Sequence, residues 1–591
     1  MDADLHTATA PFRDPRYAPG QLTVERRAGG EMVLTNPTPY ATRFQTMTAA
    51  LDHWAGAAPD RIWLAERSGD GWRTVSFAEA RERIAVLAGG LRGLGLLGAR
   101  PLLILAANGV DHALVAYAAM SQGMPVAPVS PQYGLKGANL ARLAHACEVL
   151  NPAAVYTEDA ALFTEGLSSP ALAGLPVVAG SNARPGDIAL EDLFASAAAL
   201  PTATPDDHAK YLLTSGSTGH PKAVICAHRN IALNSAQIDA CFADPEPPVM
   251  VNSAPWSHSL GANSILHMSL HRGGTLYIDR GQPTAARFGE TVRNLREISP
   301  TYQNMVPAAW MLFVDELEKD QALARRFFAR VRVLQYGGAS LGQAVADRIQ
   351  AVAVRTVGEK ISFASGYGAT ETGPTACNVH WTNGRMGLMG LPIPGTSVRL
   401  VPQAGKFDFR MKGPQVTQGY LGRPELSAQA FDDEGFYVLG DAARFVDEAD
   451  PAKGLVFDGR LSENFKLASG TFVGVSDLRI GAVSAIGGAV TDAVVCGEGR
   501  EGVGLLLYPN PRLPRPEVET AVRAGIEAFN GSAKGSGGRV ARVLVLAGGP
   551  DAAAGEITDK GYIAQALARA RRADSVTRLF TDPPPSDVMV F

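Results

Sequence analysis

The sequence predicts an α/β protein: a large, multi-lobed N-terminal domain of parallel βα layers over residues 1–458, and a small α+β C-terminal domain over 459–591. Three observations predict it. The chain is 591 residues long, several times the ~150 residues of one ordinary domain. Short apolar strands alternate with helices through most of that length, the mark of βα units and a largely parallel sheet. The texture then changes after Asp458.

The alternation starts at "WRTVSF", a strand, and continues through the amphipathic helix "AEARERIAVLAGGLRGL", the buried strand "PLLILAAN", the helix "DHALVAYAAMSQG" and the strand "PVAPVS". It resumes in "VMVNSAP", "GGTLYID", "RVRVLQYGG" and "KISFASGYG". The last stretch carries its own strands and helices, "AVVCGEG", "GVGLLLYP", "PEVETAVRAGIEAFN" and "RVLVLAG", enough for a compact domain. We place the boundary at "FDGRLSEN", just after the proline-bearing "DEADPAKG".

Composition excludes several classes. With 54 Lys+Arg against 58 Asp+Glu, the formal net charge is −4. No basic excess points to nucleic acid. Cys147, Cys226, Cys241, Cys377 and Cys496 are scattered without a C-x-x-C pair, which argues against a zinc site or a disulfide framework and for a reducing compartment. The N-terminus has early acids and no apolar core, and apolar runs such as "LGLLGARPLLILAANG" are interrupted, so neither a secretory signal nor a membrane span is expected. A cytoplasmic protein is the expectation, with a homodimer left open.

The stretch "LLTSGSTGHPKAV", Leu212 to Val224, is the densest polar signal. Hydroxyls and glycines there expose donors beside the ammonium of Lys222, a chemistry suited to phosphate. It is not the G-x-x-x-x-G-K-[ST] loop, because Pro221 stands where the second glycine belongs. "GLGLLG", Gly93 to Gly98, matches the dinucleotide fingerprint, but a helix precedes it and a strand follows, the reverse of what that motif needs. "GASLG", Gly338 to Gly342, matches a nucleophile elbow and sits between a strand and a helix. It is the rival reading: a serine hydrolase with Ser340 as nucleophile and His380 and an acid such as Glu371 downstream.

Four further signals follow in order. "GYGATETG" presents Glu371 among glycines and hydroxyls, a hard oxygen ligand fit for Mg²⁺ beside phosphates. "YVLGDAARF" puts Asp441 after a glycine at a strand end, where a carboxylate can accept from two ribose hydroxyls. "GRLSENFKLASG" opens the small domain with Arg460, and "GEITDKGYI" places Lys560 on a turn.

On these motifs the sequence resembles the adenylate-forming superfamily of acyl-CoA synthetases, luciferases and peptide-synthetase adenylation domains over nearly the whole chain. The resemblance implies ATP, Mg²⁺ and coenzyme A, and a carboxylic acid joined first to AMP and then to a thiol. It implies that Thr214, Ser215, Gly216, Ser217, Thr218, Gly219 and Lys222 form the phosphate loop. Gly337, Gly338 and Ala339 would line the adenine, with Tyr367 against its face. Thr370 would meet the α-phosphate, Glu371 Mg²⁺, Asp441 the ribose, and Arg460 the ribose or α-phosphate. Lys560 would bridge carboxylate and adenylate. It also implies a mobile small domain that rotates between half-reactions, bringing Gly470 and its "KLASG" segment to the thiol's tunnel. The sequence departs from the pattern at Ala223, Leu439 and Ser462, where Gly, Thr and Asp are usual, and in lacking Ser-Gly before Lys560.

Within the superfamily, "PFRDPRYAPG", "APWSHSLGAN", "GRLSENFKLASGTFV" and "GEITDKGYI" are similar to feruloyl-CoA synthases. Trp256, His258, Asn304, Met305 and Val306 are the candidate acyl-pocket residues, an aromatic wall with few polar anchors. By the same resemblance the ring of His258 lies between acyl pocket and pantetheine tunnel. Medium-chain fatty acids and benzoates are the alternative substrates.

Overall fold

The computed structural model describes residues 7, 9–195, 203–215, 221–284, 286–338, 341–403, 405–533, 535–551, 556 and 563–591. Among them the chain forms an α/β fold with a large N-terminal domain built on three sheets and a smaller C-terminal domain built on a fourth.

The first sheet centres on Leu102–Leu105, whose four residues LLIL are all buried. Its neighbours Val126–Pro128 and Ala154–Thr157 run parallel to it. A continuous apolar run is what a parallel strand covered on both faces requires. One covering helix, Phe77–Gly93, is fixed by a capping box: Ser76 Oγ accepts from the Glu79 amide at 3.2 Å, and the Glu79 carboxylate accepts from the Ser76 amide at 2.8 Å. Its buried stripe is Phe77, Ala80, Ile84, Leu87, Ala88 and Leu91. At the sheet's edge His208–Ser215 pairs antiparallel with Pro221–Ala227, so the polar stretch 216–220 joins two arms of one hairpin. The second sheet joins Val249–Asn252, Thr275–Ile278 and Ile62–Ser68 in parallel, with Gly71–Ser76 antiparallel at the edge.

The third sheet is mixed. Tyr302–Met305, Val333–Tyr336 and Ser362–Tyr367 are parallel, as the sequence leads one to expect. The rest, including Ser397–Gln403, Lys406–Lys412, Tyr437–Phe445 and Leu455–Arg460, is antiparallel. The expected parallel βα layers are thus joined in this sheet by an antiparallel half. In Ser397–Gln403 buried Val398 and Leu400 alternate with outward Arg399, the period of a strand covered on one face only. The expected domain boundary falls at the end of Leu455–Arg460. Gly459 there has φ of 86°, and a Cβ would stand 2.9 Å from Ser476 Cβ, so the position requires glycine.

The last sheet sets Val490–Cys496, Val503–Pro509, Val540–Val545 and Val588–Val590 side by side. Helices Val475–Ile486 and Arg515–Ser532 bury Leu478, Val518, Val522 and Ile526 in its core. No helix among the described residues is long and apolar enough to cross a membrane, and all five cysteines are buried as free thiols.

Candidate active site

The parallel strands of the third sheet end together, at Met305, Tyr336 and Tyr367, and the polar motifs follow directly from those ends. This is where open α/β sheets hold ligands. The Tyr367 hydroxyl donates to Asp441 Oδ2 at 2.6 Å, while its ring packs edge-on against Phe409 at 5.0 Å. Burial, then the Asp441 charge, holds that phenol well above the ordinary tyrosine range, so it stays a donor. Asp441 and Arg460 are register partners on adjacent strands, and Arg460 Nε lies 3.4 Å from Asp441 Oδ1. Three residues that the sequence places far apart thus form one cluster.

Thr370 and Glu371 occupy a short 3₁₀ turn after the Tyr367 strand, both buried. The Thr370 and Ser259 hydroxyls are 3.1 Å apart. Glu371 Oε1 accepts from the Tyr420 hydroxyl at 3.1 Å, and Tyr420 and Tyr437 share a hydroxyl contact of 2.8 Å. Lys222 Nζ sits 4.0 Å from the centre of the Tyr420 ring. Sequence reasoning missed Tyr420 and Tyr437; the run "QGYLGRPE" carries no pattern that announces a role.

Of the phosphate-loop residues, Thr214 and Ser215 end their strand and Lys222 opens the next, whereas Gly216, Ser217, Thr218 and Gly219 lie outside the described residues. Thr214 Oγ1 is buried with no hydrogen-bond partner among the described residues. Gly337 lies against Leu260, whose side chain a Cβ would meet at 3.2 Å, and Gly338 has φ of 84°. Gly470 has φ of 80° and open space where a Cβ would stand. Ala339 and Lys560 lie outside the described residues.

The candidate pocket residues divide. Trp256 is 3% exposed in the core, its ring edge-on to His112 at 5.0 Å, and Met305 packs into the neighbouring core cluster. Val306 caps the helix Pro307–Lys319, half-buried. His258 is half-buried at the start of the turn leading to a π-helix, Leu260–His267. Asn304 is buried and donates to Gln335 Oε1 at 2.6 Å.

The hydrolase rival fares poorly in three dimensions. His380 is packed beneath Gly20, where a Cβ would come within 2.4 Å of its Nε2, and its Nδ1 meets the Asn378 carbonyl at 3.2 Å. Glu371 is engaged by Tyr420. Ser340 lies outside the described residues.

For a divalent cation the fit rests on Glu371. No group of three or more His, Cys, Asp or Glu that could hold a metal occurs among the described residues. One buried carboxylate would fit a Mg²⁺ whose remaining ligands came from phosphates and water.

The architecture is thus a large α/β domain with polar motifs gathered at the ends of parallel strands, followed in the chain by a smaller domain on its own sheet. The chain belongs to the AMP-binding enzyme family: residues 51–421 match that family, and residues 481–583 match the AMP-binding enzyme C-terminal domain. It is 26% identical over 402 residues to 4-coumarate–CoA ligase 5 of Oryza sativa subsp. japonica, covering 64% of this chain and 70% of that protein. It is 25% identical over 391 residues to a feruloyl-CoA synthase of an Amycolatopsis species, covering 63% and 72%. Among solved structures, the adenylation domain of a carboxylate reductase from Mycobacterium chelonae superposes with a TM-score of 0.73 at 20% identity, covering 91% of each chain. ATP-bound MatB from Rhodopseudomonas palustris does so with a TM-score of 0.71 at 19% identity, covering 90% of this chain and 99% of that one.

Proposed function

We propose that the protein is an AMP-forming acid–CoA ligase whose substrate is a hydroxycinnamic acid such as ferulate. The observation that carries the reading is the cluster of Tyr367, Asp441 and Arg460 beside the turn bearing Thr370 and Glu371. Family membership and the relatives with 4-coumarate and ferulate in their names support it.

A carboxylate is a poor acyl donor, because it is anionic and would have to expel an oxide. Joining it to AMP with loss of pyrophosphate gives a mixed anhydride that a thiol can attack. The first step brings an anion onto a polyphosphate, so charge on the phosphates must be neutralised as it builds. Asp441 holds the ribose, with Tyr367 fixing its carboxylate from behind. Thr370 donates to the α-phosphate, and the hydroxyls from Thr214 to Thr218 with Lys222 hold the outer phosphates. Mg²⁺, when bound, neutralises phosphate charge, and Glu371 would hold it. Lys560 bridges the carboxylate and the α-phosphate, and the small domain then turns to bring Gly470 beside the incoming pantetheine arm. No covalent enzyme nucleophile is needed.

The test is exchange of labelled pyrophosphate into ATP with ferulate and Mg²⁺, alongside a fluorophosphonate probe. Exchange without labelling of Ser340 is expected; labelling of Ser340 without exchange overturns the ligase in favour of the hydrolase.

A further inference from the structure

Between Gln335 and Asn378, close to Gly366, lies a small cavity of about 30 Å³, room for a hydroxyl-sized group rather than for a whole acyl tail. Ser264, Met268, Tyr302, Gln335, Thr375 and Asn378 line it. It adjoins the candidate site on two sides. Ser264 follows Asn263, whose amide donates to the Gly373 carbonyl at 3.1 Å, and Gln335 lies two residues before Gly337.

Its polar inventory is specific. Gln335 Oε1 accepts from the Tyr302 hydroxyl and from Asn304 Nδ2, which fixes the amide so that its N–H₂ group is left without an acceptor among the described residues. Asn378 is 2% exposed, and its Oδ1 is buried with no hydrogen-bond partner among the described residues. The two converge on one place: a Cβ on Gly366 would stand 3.4 Å from Gln335 Nε2 and 3.9 Å from Asn378 Oδ1. A free donor and a free acceptor therefore face the same space, which glycine keeps open.

A hydroxyl satisfies both at once, accepting from Gln335 and donating to Asn378. An ether satisfies only the donor, and an apolar end leaves both amides unpaired. A second carboxylate is disfavoured, because the nearby Arg272 guanidinium is occupied: Nε lies 3.0 Å from Asp239 Oδ1, and Nη2 donates to the carbonyls of Asp244 and Glu246. Phe242, Met250 and Met268 supply apolar wall. We propose that Gln335 and Asn378 are a hydroxyl-reading pair at the far end of the acyl pocket, selecting acids whose tail carries a hydroxyl over the same acid without it. The inference rests on the acid–CoA ligase reading and assigns its selectivity to named residues.

The full-length protein is assayed with ATP, Mg²⁺, CoA and, in turn, p-coumarate, cinnamate, 4-methoxycinnamate, benzoate and octanoate. The kcat/KM for p-coumarate should exceed those for cinnamate and 4-methoxycinnamate by about tenfold or more, since a site built for a hydroxyl rejects the analogue lacking it. Gln335→Met and Asn378→Leu should each lower the p-coumarate to cinnamate ratio at least fivefold. Equal kcat/KM for the three cinnamates in the wild type, which needs no variant to fold, overturns the pair, and so does a ratio unchanged in both variants. Turnover of octanoate or benzoate alone overturns the pair and leaves the ligase reading standing. Absence of pyrophosphate exchange with every acid overturns both.

Discussion

The Tyr420 hydroxyl donates to Glu371 Oε1 at 3.1 Å while its ring lies 4.0 Å from Lys222 Nζ. One side chain thus positions the carboxylate assigned to Mg²⁺ and supports the ammonium assigned to phosphate. Burial, then the Glu371 charge, raises the Tyr420 pKa, which keeps the hydroxyl a donor.

Tyr420→Phe keeps the ring under Lys222 and removes the hydrogen bond to Glu371. A hydrogen bond to a charged group contributes about 1.5–3 kcal/mol, so the Mg²⁺ concentration for half-maximal exchange should rise about tenfold or more. Tyr420→Leu removes the ring as well and should raise the KM for ATP in addition. Titrating Mg²⁺ at fixed ATP in the exchange assay checks both. A Tyr420→Phe variant with unchanged Mg²⁺ dependence would show that Glu371 needs no such support.

Asp441→Asn keeps an acceptor for Tyr367 but removes the negative charge facing Arg460 and the ribose. Charge-assisted bonds are about twice as strong as neutral ones, so a loss of about 2 kcal/mol, roughly thirtyfold in the KM for ATP, is expected. Tyr367→Phe should cost less, because it loosens Asp441 without discharging it. Initial rates at varied ATP separate the two.

The sequence made the βα layers legible because their strands are uniform apolar runs such as LLIL, and it made the polar loops legible because Gly, Ser and Thr cluster there. The antiparallel half of the third sheet was not legible in the same way: in Ser397–Gln403 only every second residue is buried, and single polar residues mask the run. The site shows the same divide. Asp441 and Arg460 could be named from their motifs, but that they are register partners is a property of sheet pairing. Tyr420 and Asn378 owe their places to contacts across long stretches of chain, with Glu371 in one case and around Gly366 in the other. Trp256 and Met305 could be named by type and position, but that both are buried in core clusters is a property of packing between elements.

The two half-reactions should separate in variants. Lys560→Ala should lose most adenylate formation, about a hundredfold by analogy with a lost oxyanion donor, yet still convert supplied feruloyl-AMP and CoA to thioester. Gly470 stands at φ of 80° with open space before it, so a side chain would both strain the turn and intrude on that space. Gly470→Leu should form adenylate normally and fail at thioester formation. Single-turnover measurement of each step decides: equal slowing of both steps in Lys560→Ala, or no slowing in Gly470→Leu, removes the alternating-face mechanism.

Lys210 offers a prediction about stability and pH. It lies on the strand leading to Thr214, 3% exposed, with Nζ 2.5 Å from His267 Nε2 and 3.2 Å from Asn263 Oδ1. His267 Nδ1 is in turn 2.6 Å from the Tyr117 hydroxyl. None of these partners is a carboxylate, and burial lowers the lysine from 10.5 to about 8. Below pH 8 the amine is protonated whether the protein is folded or unfolded, so Lys210 adds no pH dependence there. Between about 8 and 10.5 the unfolded chain binds one proton more than the folded one, so stability should rise with pH, by at most about 1.4 kcal/mol per unit. Lys210→Met keeps the length of the side chain and removes the titrating group. Its unfolding midpoint relative to wild type should therefore be most favourable at pH 7.5 and fall steadily as the pH is raised to 10. Parallel profiles for the two proteins over that range would mean that Lys210 keeps its proton in the folded state and that the His267 and Asn263 contacts hold an ammonium.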